Sequence, residues 1–552
     1  DWRQPNQWEL DRWLKLIMKK DDYVIQGYEG AIVLDPTPGI YLDDPVAVLD
    51  YASLYPSSII EKNISHETFI EDENLPKEMN WKEGTDYHKI EYVNWIYKGK
   101  GKGDTIEKVQ DKEKPLITCK FLTKDFMQRN GMEPKGIIPS VLDHLLEARN
   151  DTKKRMKKEP DEFKKKILDG LQLAYKVTAN SVYGQLGAKT STIFKMELAA
   201  CTTSVGRERL TVDATDKVKL WAIENNYEEP EVVYGDTDSV FVKFSRKDKN
   251  GNLLEGKEAL EHCIKCGQEA GQYIKDLMDS EGKQPQVLEY EKTFWPFILI
   301  SKKRYTGDKY EFEPDNPKRT AMGIVLKRRD NAYIVKHVFG HVIEKIMIEK
   351  DFDATVEWLK KTLQEIREGK FSLSYFVISK SLRGYYKNPQ GIAHKVLADR
   401  MAERDPGNKP KANDRIPYAY IEVDDKPKIV GHRKATKKVQ DGFHKKTIKE
   451  EIGIFKGGKK KGQIKTRNKT VDDEDRPKFR NVVIQGEPIY KKTNVLQGDR
   501  IEHIDYIKEK GLKIDYEFYI TNQIMNPVKQ VLDLEMDPKE TEKLFLKDSI
   551  KC

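Results

Sequence analysis

The chain has 552 residues, 38% of them hydrophobic and 34% charged, with a formal net charge of +8. That length is more than one hydrophobic core serves and suggests roughly three or four compact units. No run approaches the ~20 apolar residues of a membrane span, the start does not look like a signal peptide, and five cysteines, few and odd in number, argue against a disulfide framework, so an intracellular, reducing setting is expected.

The first ~27 residues carry Trp2, Trp8 and Trp13 in a helix-like pattern. From Tyr28 the pattern turns strand-like, and the run PVAVLD delivers Asp50 at the end of an apolar strand. In YASLYPSSII, which follows, Pro56 breaks the strand and lets a helix begin. Residues 71–130 are polar and rich in Lys, Glu and Gly, and they give no sharp pattern. From Gly136 to Ala188 two long helices are expected, with Pro160 and Asp161 opening the second. Arg149 and Lys153 share a face of the first; Lys176, Asn180, Tyr183 and Gly184 form a stripe on the second. Basic helix faces are ordinarily just solvated, so the stripes alone do not define a site.

After a further helix (FKMELAACTTSVGRERL) comes YGDTDSV at 234–240, between two apolar runs, which reads as a hairpin that brings Asp236 and Asp238 together at its tip. Two close carboxylates repel unless a cation lies between them, and hard oxygen ligands suit Mg²⁺. The bland alternative is a solvated acidic turn. Cys263 and Cys266 form a CxxC inside a helical pattern; with no second pair beside them they are read as structural rather than as a zinc site. Residues 289–307 look like a strand pair ending in Lys302, Lys303, Arg304 and Tyr305. Helices dominate 331–403, and ITNQIMNPVKQVLDL is another amphipathic helix.

The net charge is unevenly placed. Residues 426–470 hold 16 Lys or Arg against three acids, a local excess of +13, so the remainder is slightly acidic. Its core, KGGKKKGQIKTRNK, lacks apolar periodicity and is expected to be a mobile loop. Lys459, Lys460 and Lys461 would offer it to a polyanion, and a solvated insertion is the plain alternative.

Three acids at strand ends beside cations on a helical arm are what phosphoryl transfer from a nucleoside triphosphate demands. Two divalent ions activate a hydroxyl and stabilise the leaving pyrophosphate, while Arg149, Lys153 and Lys176 offset the triphosphate charge. DYASLYPSS, KVTANSVYG and YGDTDS, in this order, resemble the three polymerase motifs of family B DNA polymerases, and KKRY at 302–305 resembles a fourth. GIVLKRRDNA, ISKSLRGYY and MAERDPGNKPKANDRIPYAYI are similar to the delta-type branch; SLYPSS and the region 494–527 look most like polymerases of large DNA viruses of eukaryotes.

The resemblance implies an α/β (α+β) right hand with an antiparallel palm sheet, an N-terminal segment and first palm part at 1–135, two-helix fingers at 136–189, a second palm part at 190–345, and a thumb at 346–552 with the basic insertion at about 426–470. It implies template-directed DNA synthesis with two Mg²⁺ ions, Mn²⁺ being a substitute. Asp50 and Asp238 would hold metal with the Tyr51 carbonyl, with Asp236 close by. Arg149, Lys153 and Lys176 would hold the triphosphate, Leu54 and Tyr55 would adjoin the nucleotide, and Tyr55 would exclude a ribose 2′-hydroxyl. Asn180 and Tyr183 would line the nascent pair, and Gly184, Lys302, Lys303, Arg304 and Tyr305 would contact primer-template DNA. The implied partners are that DNA, deoxynucleoside triphosphates, a separate exonuclease or N-terminal half, and a sliding clamp, in a host nucleus or a cytoplasmic viral replication site. No acidic exonuclease motif is found, so the chain is not expected to proofread, and Leu171 stands where delta-type relatives tend to place an arginine. An inactive polymerase-like DNA-binding or scaffold subunit is the alternative from another class; an RNA-synthesising enzyme is a second, against which Tyr55 speaks.

Overall fold

The computed structural model describes residues 23–99, 107–423, 428–491 and 496–546. The chain divides into two compact units, 1–329 with 335–364 and 520–552, and 330–334 with 365–519, fewer than its length suggests.

In chain order the first unit contains β1 (Gly39–Tyr41), β2 (Val46–Tyr51), α1 (Leu54–Glu61), α2 (Ile137–Lys158), α3 (Glu162–Gly187), α4 (Met196–Glu208) and α5 (Thr215–Glu224). Then follow β3 (Glu231–Asp236), β4 (Ser239–Lys243), α6 (Gly256–Ser280), β5 (Leu288–Ser301), β6 (Arg304–Tyr310) and β7 (Lys318–Met322). The strands form one antiparallel sheet in the order β7-β6-β5-β2-β4-β3, with β1 also on β5. Central β2 is apolar but for Asp50 because both its faces are covered. Ala47, Leu49 and Tyr51 pack into the core shared with α5 and α6, whereas Val46 and Val48 meet Tyr234, Phe241, Phe294 and Phe297. Asp50 ends that second row.

Helix α3 starts where the sequence places it: the Asp161 carboxylate accepts from the amides of Phe163 (2.8 Å) and Lys164 (3.3 Å). Cys263 and Cys266 are buried on α6 against the sheet, and among the described residues no three His, Cys, Asp or Glu side chains gather as a metal cage. The patternless region at 71–130 contains the paired strands Tyr87–Val93 and Leu116–Leu122. Of the tryptophan-rich start, residues 1–22 lie outside the described residues; Tyr23–Gly27, expected to be helical, is a strand paired with Trp95–Gly99. Its YVIQ run favours extended backbone. Met525–Leu532 is the expected amphipathic helix, burying Val528, Val531 and Leu532.

The second unit contains β8 (Ile378–Ser381), α7 (Ala393–Arg404), β9 (Arg415–Tyr420), β10 (Lys428–Ile454), β11 (Ile464–Lys491) and β12 (Ile501–His503). Strands β8, β9 and β12 make a small antiparallel sheet, pinned where Tyr519 donates to the Phe376 carbonyl (2.5 Å) and accepts from the Tyr420 amide (3.0 Å). The expected mobile loop is corrected here. Strands β10 and β11 pair as one long ribbon, and residues 455–463 form its turn, in which Gly458 and Gly462 take left-handed φ angles of 76° and 90°. A ribbon whose described faces are largely exposed has no apolar alternation, so hydrophobic pattern cannot reveal it.

Candidate active site

Everything at the site hangs on β2 and the hairpin beside it. Ser239 pairs with Asp50 on one side and with Asp236 on the other, and the Tyr51 amide donates to the Asp238 carbonyl (2.8 Å). The two-residue turn is held by the Thr237 amide donating to Ile32 (3.1 Å). Thr237 has a φ of 63°, costly for a β-branched residue, so the turn holds about 1–3 kcal/mol of local strain against its pairing. Past Tyr51 the chain reverses through Ser53, also left-handed, into α1. The Tyr51 ring is buried and its hydroxyl donates to the Arg209 carbonyl (2.8 Å), leaving only its backbone to the site.

These turns open on a cleft of about 370 Å³. Asp50, Asp238, Glu289 and Glu291 line it together with Arg149, Lys153, Lys176 and Asn180, and Leu54 and Tyr55 close part of the wall. Arg149 reaches Ser53 Oγ and Gln172 Oε1, both at 3.3 Å. The two charge groups are each out of balance. Burial, and after it the carboxylates of Asp238 and Glu291, push Asp50 up to about 7. Burial and Asp236 raise Asp238. Burial lowers Arg149 and Lys153, and Lys153 is lowered further by Arg149 and Lys176. A ligand bringing divalent cation to the carboxylates and polyanion to the cations would relieve both at once. Two hard carboxylates, without a full protein cage, fit an ion such as Mg²⁺ that takes the rest of its shell from water and substrate phosphate.

Tyr55 and Tyr183 pack ring to ring with centroids 4.5 Å apart. Gly206 on α4 makes this possible, since a Cβ there would stand 2.9 Å from Tyr55 Cε1. Arg207, next along, donates to the carbonyls of Glu29 (2.8 Å) and Gly30 (2.9 Å).

Several expected residues lie elsewhere. Asp236 does not line the cleft; its carboxylate accepts from Lys303 Nζ (2.5 Å), Tyr234 Oη (3.2 Å) and Thr237 Oγ1 (3.1 Å). Lys302 and Lys303 form the β5–β6 turn, and Lys302 pairs with Asp35 (2.7 Å). The Tyr305 ring, expected to follow DNA, is 9% exposed and packs against Tyr234, Phe241, Phe294 and Phe297. Arg304 starts β6, and Gly184 is exposed on α3 with open space around it. Lys459, Lys460 and Lys461 sit at the tip of the ribbon in the second unit. Sequence reasoning missed Glu289, Glu291, Ser53, Thr237 and Gly206. For the glutamates a signal exists: EYE places two acids on one strand face just before an apolar run, and the register sets Glu289 opposite Asp50.

The fold, the cleft and the order of its motifs agree with a family-wide match: the chain belongs to DNA polymerase family B, whose model matches residues 10–534. It is 38% identical to a DNA polymerase of Pyramimonas orientalis virus over 94% of this chain and 38% of that protein. It is 40% identical to a DNA polymerase of Acanthamoeba polyphaga mimivirus over 57% of this chain and 14% of that one. With the DNA polymerase delta catalytic subunit of Candida albicans it shares 34% identity over 72% of this chain and 33% of the relative. The chain thus spans well under half the length of these relatives. No described helix is long and apolar enough to cross a membrane.

Proposed function

We propose that this chain is a polymerase module that adds deoxynucleotides to a primer 3′ end, directed by a template, in viral DNA replication. The observation that carries the reading is the cleft in which Asp50 and Asp238 face Arg149, Lys153 and Lys176. In this reading the large sheet is the palm, α2 and α3 at 136–189 are the fingers, and the part after 346 is the thumb. Two divalent ions, Mg²⁺ or Mn²⁺, held by Asp50 and Asp238 with the Tyr51 carbonyl, would activate the 3′-hydroxyl and offset charge on the leaving pyrophosphate.

The chain's own residues do the rest. Arg149, Lys153 and Lys176 bind the triphosphate, and its negative charge returns Arg149 and Lys153 toward their ordinary basicity. Tyr55, wedged between Tyr183 and Gly206, sits under the sugar and blocks a 2′-hydroxyl. Asn180 and Tyr183 orient the incoming base. Asp236 acts as a positioning residue: its pairing with Lys303 ties the hairpin to the β5–β6 turn, which puts primer-template contacts in register with Asp238. A sliding clamp and a separately supplied exonuclease half are the further partners of this reading.

The test is extension of a labelled primer on a longer template by this chain with Mg²⁺, beside Asp238→Asn. Template-dependent extension that vanishes in the variant supports the reading. DNA binding without extension by the unaltered chain would favour the inactive DNA-binding alternative.

A further inference from the structure

The ribbon of β10 and β11 carries its charge in three bands. At its base, residues 428–438 with 478–491 hold eight cations and one acid. In the middle, residues 441–451 with their cross-strand neighbours 466–477 hold six cations and seven acids. At the tip, residues 452–465 hold five cations and no acid. A positive tip is thereby separated from a positive base by a band whose charges nearly balance.

Ion pairing sharpens the contrast. Glu450 takes Arg467 (2.9 Å) and Lys469 (2.8 Å), and Asp473 takes Lys446 (3.0 Å), so acids of the middle band are answered from within the ribbon. A register shift between Phe443 and His444 leaves Glu474 and Asp475 exposed in that band. Lys456, Lys459, Lys460, Lys461 and Lys465 have no ion pair among the described residues, and all five are exposed. Cross-strand hydrogen bonds close the turn that presents them: the Phe455 amide donates to Gln463 (3.0 Å) and the Gly462 amide to Phe455 (2.9 Å). At about 3.3 Å per residue, the 27-residue β10 is about 90 Å long, so the tip stands well away from the small sheet in its own unit.

We propose that the ribbon is an arm whose tip grips the phosphate backbone of double-stranded DNA end-on, and whose charge-balanced middle, with Glu474 and Asp475 exposed in its bulge, keeps that DNA from lying along the shaft. The proposal rests on the DNA-synthesis reading for its choice of polyanion. Five exposed lysines without an ion pair among the described residues, one of them (Lys465) resting over the Phe455 ring, are matched to a dense row of phosphates, and they give affinity without sequence preference. The exposed Glu474 and Asp475, further down the shaft, are the repulsive element that limits the contact to one place.

The test measures dissociation of the full chain from a fluorescein-labelled primer-template duplex by anisotropy at several KCl concentrations. In one variant Lys456, Lys459, Lys460, Lys461 and Lys465 are changed to Gln. The slope of log affinity against log salt should flatten by about 0.9 per lost contact, about 3 to 4.5 in all. In a second variant, Glu474→Gln with Asp475→Asn, the slope should steepen, because DNA gains access to the shaft. An unchanged slope in the tip variant overturns the proposal and points to a partner other than DNA. A shallower or unchanged slope in the second variant overturns the role of Glu474 and Asp475. Far-ultraviolet circular dichroism of each variant establishes that the ribbon still forms. Failure of the DNA-synthesis reading would show separately, as absence of primer extension by the unaltered chain.

Discussion

At the scale of single residues the cleft stores unfavourable protonation energy that ligand is built to release. Asp50 stands at about 7 against an ordinary 3.8, so the fold prefers its protonated form. That contribution to stability is complete below pH ~4 and is lost as pH rises through ~7. In chelator, Asp50→Asn should therefore melt above the unaltered chain. The gap should grow from about pH 5 to about pH 8 and reach at most about 4 kcal/mol, by the free-energy equivalent of the shift. Added Mg²⁺ should narrow it; a gap that does not vary with pH would count against the raised carboxyl. For Tyr55, change to Ala should raise the ratio of ribo- to deoxynucleotide incorporation, read from single-nucleotide extension, and an unchanged ratio would remove Tyr55 from the sugar pocket. Asp50, Asp238, Arg149, Lys153 and Lys176 were legible because each ends a strand, sits in a hairpin turn or occupies a helix stripe. Glu289 and Glu291 were not, since an acid in a strand ordinarily marks a solvent face. Asp236 shows the limit of motif spacing: two residues from Asp238, it turns toward Lys303, a partner 67 positions away.

At the scale of elements the site depends on how helices meet the sheet. Gly206→Ala places a methyl against Tyr55 Cε1 and Leu54 Cδ2 and must displace the ring. Ribonucleotide use should rise as in Tyr55→Ala, to a smaller extent, while the melting temperature changes little. Beneath α1 lies a charged network: fully buried Arg209 pairs with Glu61 (2.5 Å) and Asp213 (2.7 Å), and Asp213 also takes Lys283 (2.7 Å). Arg209→Met would take one charged partner from each of two buried carboxylates, leaving Asp213 with Lys217 and Lys283 and Glu61 with Lys62 and Gln286, and should cost about 1–3 kcal/mol in urea unfolding. The β3–β4 hairpin, the β5–β6 pair and helices α2 and α3 were legible from alternation, turn residues and the Pro160–Asp161 start. The strands at 87–122 were hidden in a charged sequence whose alternation is partial, as YHKIEYV illustrates. The network around Arg209 is a product of tertiary packing, which no local pattern encodes.

At the scale of the whole molecule charge and fold are separately housed. Residues 428–491 hold 19 Lys or Arg against eight acids, an excess of +11 in a chain of +8, so all the remaining residues together are slightly acidic. Among the described residues the ribbon enters none of the buried apolar clusters and pairs with itself. Replacing 428–491 by a short Gly-Ser linker should therefore leave the melting temperature within about 2 °C, since surface changes away from a core shift stability little. It should also turn a chain that binds a cation exchanger at neutral pH into one that does not. A drop larger than about 5 °C would mean that the ribbon supports the fold.

The strained turn at Thr237 has a consequence for evolvability. A glycine there would relax the backbone, yet it would give up the hydroxyl that donates to Asp236. The turn is thus kept taut by its own side chain, and variants that make the protein tougher at this position should make it a slower catalyst.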